Sequence, residues 1–344
     1  MPPIPAAITG ASRKVRLPVE IKIQPYLMDH KFEGKAVLPA VEAMQILAAS
    51  VQMYLPNTDT KFITNARFDK FLYFGEKDLG GIVIAYNEVE LYENGDVCSK
   101  LITKSRFGQA RISSGKTPMT RIKEHVSISF PKEKEVLCKS HPEIPEYFAS
   151  AFGKLSSLPE DECFDIPSDK LYSELVPFGP AYHNIKDILS VSEKGAFAKI
   201  GTTTAHACSE PLGSPFPLDA AFHAACAWGQ RFSGIVAFPV AFEKRFIFRP
   251  TSPNEEYVSR IVPLRHLRQA QIPLQAQIPL QAQIPLQIQR PLQIQRPLQA
   301  QRPLSFDIWI YETGGRLCEA VLGVQMRDVS AGRMKPPGWL KDKG

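Results

Sequence analysis

Apolar and polar residues alternate or recur at helical spacing along the first part of the chain. Residues 16–24 alternate between the two classes and predict a strand. Apolar residues after Pro39 recur every three or four positions and predict a helix that ends before Pro56. Strand-like stretches then continue to residue 130. Among them, "ENGD" at residues 93–96 predicts a hairpin turn, because Asn-Gly tolerates positive φ.

The same order of elements recurs in the second part of the chain. A strand-like stretch, "AFAKIGTTTA" at residues 196–205, precedes an apolar helix predicted over residues 219–232. Further strand-like stretches occupy residues 235–250, 255–262 and 305–329. Two parts, each with a central helix followed by antiparallel strands, predict a duplicated α+β unit.

Two segments interrupt this pattern. Residues 136–168 are rich in Glu, Lys, Pro and Ser, and we predict that they connect an N-terminal half, residues 1–135, to a C-terminal half, residues 169–344. The second half carries "QIPLQA", drifting to "QRPLQI", repeated over about residues 269–304 with a proline at every sixth position. Such spacing blocks a long helix or a central strand, so we expect an extended or disordered insert in a surface loop rather than a binding arm.

Composition excludes several classes of function. The 344 residues are 44% hydrophobic and 22% charged, as in globular domains, and no apolar run approaches the ~18 residues of a membrane span. We therefore expect a cytoplasmic protein without a membrane partner. The net charge of +6, from 41 basic and 35 acidic residues, forms no dense basic tract with aromatic residues, so nucleic acid is not an expected partner. The six cysteines are scattered and predict reduced, mostly buried thiols rather than metal ligands.

One motif resembles a phosphate-binding loop but lies in the wrong context. Residues 110–117, "ARISSGKT", satisfy the loose spacing of that loop. A phosphate loop is followed by a helix whose amides meet the phosphates, whereas here Pro118 and the strand-like residues 125–130 follow. We therefore interpret this stretch as a surface loop.

The stretch "MDHKFEGKAVLPAVEAMQ" at residues 28–45 places His30 and Gly34 before Pro39, where the first helix begins. A helix N-terminus offers unpaired amides and a positive dipole end, which suit a thioester carbonyl or an enolate oxygen. Gly34 would let the backbone approach a ligand, Pro39 would fix the path into the helix, and a neutral His30 would serve as a base. Taken alone, the stretch favours the alternative of a histidine in a strand-to-helix turn.

A second ionisable pair lies in the second predicted helix. Asp219 and His223 are four residues apart and share one face of an otherwise apolar helix, where such a pair is costly unless it is satisfied or used. The alternative is that Asp219 simply caps the helix, and the residues alone leave both interpretations open. In "LVPFGPAYHNI", an aromatic residue followed by Gly179 and Pro180 predicts a tight turn.

These stretches, in this order, resemble the dehydratase family of polyketide synthases and related polyunsaturated fatty acid synthases. The matching residues are His30, Gly34 and Pro39 for HxxxGxxxxP, Asp219 and His223 for DxxxQ or DxxxH, and Phe178, Gly179 and Pro180 for an aromatic-Gly-Pro turn. The resemblance covers nearly the whole chain, apart from the N-terminal tail, the proline repeat and the last dozen residues.

The resemblance implies a double hot-dog fold, with an active site between the halves that converts a 3-hydroxyacyl thioester to a 2-enoyl thioester. No metal and no cofactor are implied beyond a phosphopantetheine arm that carries the substrate. His30 would remove the C2 proton, and Asp219, kept protonated by burial, would protonate the leaving hydroxyl. His223 would orient Asp219 or the leaving water. Backbone amides near Val37 and Leu38 would stabilise the enolate oxygen.

The chain departs from the family at Phe178, where tyrosine is frequent; Tyr182, where phenylalanine is more common, could supply the missing hydroxyl. The resemblance implies an acyl carrier protein and other synthase subunits as partners, and it is compatible with a homodimer. Carrier proteins are typically acidic, which suits the positive net charge. Two alternatives stay open: a cyclase or isomerase of the same fold, like the product-template proteins, and a non-catalytic scaffold that binds acyl chains or carriers.

Overall fold

Long antiparallel strands and two long helices make up the computed structural model, which describes residues 11–107, 119–132, 163–201, 211–264 and 303–340. The helices are α1 (Ala40–Tyr54) and α2 (Phe216–Ser233). The strands of the first half are β1 (Ala11–Lys22), β2 (Lys31–Phe32), β3 (Lys35–Val37), β4 (Phe62–Phe68), β5 (Tyr73–Phe74), β6 (Ile82–Tyr92), β7 (Val97–Phe107) and β8 (Met119–Phe130). Those of the second half are β9 (Phe164–Pro167), β10 (Ile185–Ser192), β11 (Gly195–Gly201), β12 (Phe238–Ile247), β13 (Glu256–Pro263), β14 (Leu304–Glu312) and β15 (Leu317–Arg327). The predicted α+β class is confirmed.

Twelve of these strands form one sheet in the order β1-β6-β7-β8-β4-β12-β15-β14-β13-β11-β10-β9. Strands of the first half occupy one side of the sheet, strands of the second half occupy the other, and β4 pairs with β12 where the two sides meet. Helix α1 packs on β1, β6, β7 and β8, and helix α2 packs on β10 to β14. The predicted repeat of a central helix and following antiparallel strands is therefore present in both halves, while β2, β3 and β5 form a small separate sheet.

Helix α2 begins before the predicted start at residue 219. Pro215 is its N-cap, and Pro217 in the first turn costs no hydrogen bond, because the first amides of a helix have no intrahelical partner. Asp219 accordingly lies inside the helix, and its amide donates to the carbonyl of Pro215. The interpretation of Asp219 as a helix cap is wrong.

Other boundaries follow the predicted pattern with local differences. The hairpin predicted at residues 93–96 joins β6 to β7, and only Gly95 adopts positive φ there, 86°. Strand β9 falls inside the predicted connector, where a four-residue edge strand leaves little pattern to recognise. The phosphate-loop-like stretch and almost all of the proline repeat lie outside the described residues, as does most of the connector. No helix in the described ranges is long and apolar enough to cross a membrane.

Buried polar side chains lie where the two halves meet. Arg245 on β12 donates from Nε and Nη2 to the two carboxylate oxygens of Glu319 on β15, at 2.7 and 3.1 Å, with both side chains almost fully buried. Gln45 on α1 donates to the carbonyl of Gly213 and accepts from the amide of Leu212 at 3.1 Å. Since residues 212 and 213 lead into α2, Gln45 fixes α1 beside the beginning of α2.

Candidate active site

A cavity of about 730 Å³ is lined by residues of both halves. His30 and Leu38 reach it from the first half, and Phe178, Asp219 and His223 reach it from the second half. The structure therefore brings the two candidate catalytic residues, which are far apart in sequence, into one cavity.

The hairpin formed by β2 and β3 directly follows His30. Its two turn residues, Glu33 and Gly34, both adopt positive φ, 47° and 77°, as a two-residue hairpin turn requires. No atom lies within 4 Å of the position that a Cβ on Gly34 would occupy. Gly34 is thus suited to the turn conformation and is not among the residues that line the cavity, so its predicted role in close approach to a ligand stays a prediction. Pro39 is the N-cap of α1, consistent with its predicted place at the start of that helix.

The ring of His30 is held in one tautomer by the backbone. Its Nδ1 lies 3.2 Å from the carbonyl oxygen of Val37, and because a carbonyl oxygen only accepts, Nδ1 carries the proton. Nε2 is then the nitrogen with a lone pair. Burial lowers the pKa of His30 to about 4, against the opposing effect of the Asp219 charge, so the ring is neutral at pH 7. A neutral imidazole with its lone pair on Nε2 has the properties of a general base.

The aromatic-Gly-Pro turn packs against the segment that carries His30. The ring of Phe178 stacks on the imidazole with centroids 4.3 Å apart and an interplanar angle of 28°. The amide of Gly179 donates to the carbonyl oxygen of Asp29 at 2.8 Å, and the amide of Ala181 donates to Oδ2 of Asp29 at 3.0 Å. A Cβ on Gly179 would lie 2.3 Å from the Asp29 side chain, so only glycine fits. This turn of the second half therefore positions His30 of the first half.

Tyr182 lies behind His30, with the ring centroids 5.1 Å apart, and it is almost fully buried. Its hydroxyl has no hydrogen-bond partner among the described residues, and Tyr182 is not part of the cavity lining. The suggestion that this hydroxyl replaces the one that is missing at Phe178 therefore stays a prediction. Pro180 begins the short helical turn Pro180–Tyr182 that follows the glycine.

Asp219 and His223 form a buried pair on one face of α2. Oδ2 of Asp219 lies 3.0 Å from Nε2 of His223, but the two atoms are not aligned as a hydrogen bond. Oδ2 and both ring nitrogens of His223 make no aligned hydrogen bond within the described part of the chain. Buried polar atoms are normally satisfied, so unsatisfied atoms beside a cavity indicate a place for a polar ligand group.

The charge state of Asp219 differs from the prediction. Burial alone would raise its pKa, but the imidazoles of His223 and His30 outweigh burial and hold the pKa of Asp219 below its usual value. The prediction considered burial without these neighbours and is wrong for the free site. The carboxyl group of Asp219 in the free site is therefore not the neutral acid that the resemblance implied.

The predicted oxyanion donors are already occupied. The amide of Val37 donates to the carbonyl of His30, and the amide of Leu38 donates to the carbonyl of Leu72, both at 2.9 Å. That prediction is therefore wrong. Ala40 lines the cavity and begins α1, whose first turn is not capped by a side chain. The first-turn amides of α1 remain the donors that a developing oxyanion could use.

Sequence reasoning missed several residues around the cavity. Basic side chains are exposed on its outer part, at Lys70, Arg121, Lys123 and Arg327. His125 is buried in the wall, where its ring contacts Oγ1 of Thr103 at 2.8 Å and the carbonyl of Lys70 at 3.1 Å. Cys226 lies along α2 from the Asp219–His223 pair, and burial raises the pKa of its thiol to about 11. Arg121, Lys123 and His125 alternate along β8 and therefore share one face of that strand. Lys70, Arg327 and Cys226 come from a loop, another strand and a helix, so no spacing in the sequence marks the whole set as neighbours.

The chain resembles solved structures of one kind. A trans-AT polyketide synthase dehydratase domain from Brevibacillus brevis superimposes with a TM-score of 0.59 at 15% identity, covering 93% of this chain and 96% of that one. The dehydratase domain from the CurJ module of curacin polyketide synthase gives a TM-score of 0.59 at 13% identity, covering 96% of each chain. An inactive histidine-to-phenylalanine mutant of the CurJ dehydratase, in complex with a compound, gives 0.58 at 13% identity, again covering 96% of each.

No protein-family model matches the sequence, and no curated protein sequence matches it. At this level of identity the structural similarity shows the fold. The chain has the hot-dog fold of polyketide synthase dehydratase domains, built from helices and antiparallel sheet.

Proposed function

We propose that this chain is a dehydratase of the polyketide synthase type, with a double hot-dog fold, that removes water from a 3-hydroxyacyl thioester to give a 2-enoyl thioester. The observation that carries the proposal is a single cavity that holds a neutral His30 from one half and the buried Asp219–His223 pair from the other. The similar structures support it, since all three are named as dehydratases, and one inactive variant among them has lost a histidine.

The reaction needs a base and an acid on either side of the substrate. Nε2 of His30 takes the proton from C2, the electron pair forms the C2–C3 double bond, and the C3–O bond breaks. The hydroxyl leaves as water after it receives the proton held by Asp219 and His223. His30 then carries one proton more and the pair one proton fewer, so the total charge of the site does not change. Phe178 keeps the imidazole in place by stacking.

The residues at the outer part of the cavity suit delivery of the substrate by a carrier protein. Four exposed basic residues, Lys70, Arg121, Lys123 and Arg327, suit the phosphate of a phosphopantetheine arm and the acidic surface of an acyl carrier protein. The apolar wall, which includes Phe222 and Cys226, suits an acyl chain. We propose that the substrate arrives on a carrier protein, that no further cofactor takes part, and that other synthase subunits supply the carrier.

Mass spectrometry of a 3-hydroxyacyl pantetheine thioester incubated with the purified protein tests the proposal. We expect the wild type to convert the substrate to a species that has lost one water, and His30→Ala and Asp219→Asn to leave it unchanged. Asp165→Asn serves as the matched control, because Asp165 lies on the edge strand β9 and bonds only to Ser190 among the contacts described. A rearranged product of unchanged mass would indicate an isomerase, and equal turnover by all four proteins would contradict the roles of His30 and Asp219.

A further inference from the structure

A second buried acid lies beside the candidate site and has no role in the mechanism above. Glu42 occupies the first turn of α1 and is 8% exposed. No Lys, Arg or His side chain pairs with it in the described part of the chain. Its Oε1 accepts a hydrogen bond from the hydroxyl of Tyr26 at 3.0 Å. A carboxyl group buried without a cation is costly when charged, so this position requires an explanation.

The surroundings of Glu42 lead to the Asp219 end of α2. The ring of Tyr26 lies 6.0 Å from the ring of Phe216, the first residue of α2. Gln45, one turn along α1 from Glu42, bonds to the segment that leads into α2. Both contacts place the Glu42 face of α1 against the first turns of α2, where Asp219 lies. The charge of Asp219 accordingly raises the pKa of Glu42 in addition to the larger effect of burial.

We propose that Glu42 is a positioning residue that acts through Asp219: negative charge on either carboxyl group makes the other hold a proton more tightly. This inference rests on the proposed dehydratase function for its purpose. A charged Glu42 would favour the protonated form of the Asp219–His223 pair, which is the form that the leaving hydroxyl needs. Glu42 does not line the cavity, so it touches no substrate.

The groups that face these two acids are few. Tyr26 faces Glu42 from the turn Pro25–Asp29, and Tyr182 from the turn Pro180–Tyr182; burial raises the pKa of the Tyr182 hydroxyl far above its usual value, so it stays neutral. His223, His30 and Tyr172 face Asp219, and burial likewise raises the pKa of Tyr172. Burial, opposed by the Tyr26 hydrogen bond and assisted by Asp219, brings the pKa of Glu42 to about 7. Glu42 therefore titrates where the enzyme would work.

The test is a carboxyl-carbon NMR titration of the full chain, labelled at Asp and Glu, which needs no substrate. Glu42 is assigned by the signal that disappears in Glu42→Gln. In the wild type we expect its midpoint near 7, and in Asp219→Asn we expect the midpoint to fall by about one pH unit. Tyr26→Phe should move the midpoint the opposite way, because it removes the bond that favours the charged form. In Asp165→Asn the midpoint should not move.

The wild type alone also provides a test, should a variant fail to fold. Coupled groups report one another's titration, so the Asp219 signal must show an inflection at the midpoint of Glu42. An Asp219 signal that is flat through this range, or a Glu42 midpoint that is unchanged in folded Asp219→Asn, overturns the proposal whether or not the protein is a dehydratase.

Activity provides the readout that a merely structural role would not change. Above its midpoint a charged Glu42 raises the pKa of Asp219, so Glu42→Gln should lower kcat/KM for dehydration by about tenfold near pH 8 and hardly at all near pH 6. If kcat/KM falls by the same factor at every pH, Glu42 serves only packing and the proposal is wrong. Absence of turnover by the wild type would count against the proposed function and leave the NMR outcome to decide this inference.

Discussion

Helices α1 and α2 hold equivalent places in the two halves, yet they present different chemistry to the cavity. Helix α1 lines it with the methyl groups of Ala40 and Ala43 and keeps its acid, Glu42, behind the wall. Helix α2 presents Asp219 and His223 directly. The first half instead places its candidate catalytic residue, His30, in the loop before its helix. One half holds its candidate catalytic group by helix geometry, and the other half holds it by contacts with a partner segment.

This difference affects how each group depends on the rest of the protein. The spacing of Asp219 and His223 is fixed by one helical turn. The ring of His30 is fixed by Phe178, which stacks on it, and by Gly179, which packs on Asp29. Changes at the interface of the halves should therefore disturb the position of His30 more than that of Asp219.

The largest effect on the free energy of unfolding is expected where the two halves meet. Glu319→Gln leaves Arg245 buried without a counter-charge, and we expect it to lower the free energy of unfolding by about 3–5 kcal/mol. Chemical denaturation monitored by circular dichroism measures this loss. Glu312→Gln is the matched control, since its pair with Arg249 is partly exposed and is expected to contribute less than about 1 kcal/mol. Equal losses in the two variants would show that the junction does not depend on the buried pair.

The buried Glu42 on α1 should make the free energy of unfolding depend on pH. Glu42 has a pKa of about 7 in the folded chain and 4.5 as its ordinary value, so the unfolded chain loses this proton first as pH rises. The stabilisation that protonated Glu42 gives the folded chain is fully present below pH 4.5 and is lost as pH rises to 7. As pH rises from 4.5 to 8, the free energy of unfolding of the wild type should fall by about 2–3 kcal/mol relative to that of Glu42→Gln. Unfolding curves at both pH values measure it, and a constant difference would contradict the burial of an uncompensated charge.

The contact that positions His30 should be sensitive to one added methyl group. Gly179→Ala would place a Cβ 2.3 Å from the Asp29 side chain, and we expect a loss of about 2 kcal/mol in stability together with a fall in kcat/KM. Gly75→Ala is the control, because its Cβ would make an ordinary contact of 3.5 Å. A Gly179→Ala variant with wild-type kcat/KM would show that the turn does not position His30.

The smallest effect on stability is expected at Gly34, in the turn between β2 and β3. Gly34→Ala meets no neighbouring atom, so only its positive φ of 77° opposes the change, at about 1 kcal/mol. Gly314→Ala, which also projects into open space but without positive φ, should be close to neutral. Thermal unfolding of the two variants compares them, and equal melting temperatures would contradict the assignment of Gly34 to turn conformation alone.

The periodic patterns predicted α1, the long strands and the recurrence of a helix and strands, because long amphipathic elements repeat their signal many times. A marked turn and an unusually apolar helix drew attention to His30 and Asp219, but only the resemblance to the dehydratase family predicted their roles. The predicted charge state of Asp219 was wrong because it considered burial without the imidazoles of His223, four residues along the same helix, and of His30, which together hold the pKa of Asp219 down. The prediction that the amides of Val37 and Leu38 are free donors was wrong because they donate to the carbonyls of His30 and Leu72. Such errors come from contacts that only the folded chain defines.

A double-mutant cycle on kcat/KM for dehydration, with His30→Ala, Asp219→Asn and the double variant, tests the central claim most directly. If the two residues act on one substrate in one cavity, each single change should lower kcat/KM by roughly 10²–10⁴-fold, and the double variant should be little worse than either. Losses that simply multiply in the double variant, or single variants that retain wild-type kcat/KM, would contradict the account that the two halves join to form one catalytic pair.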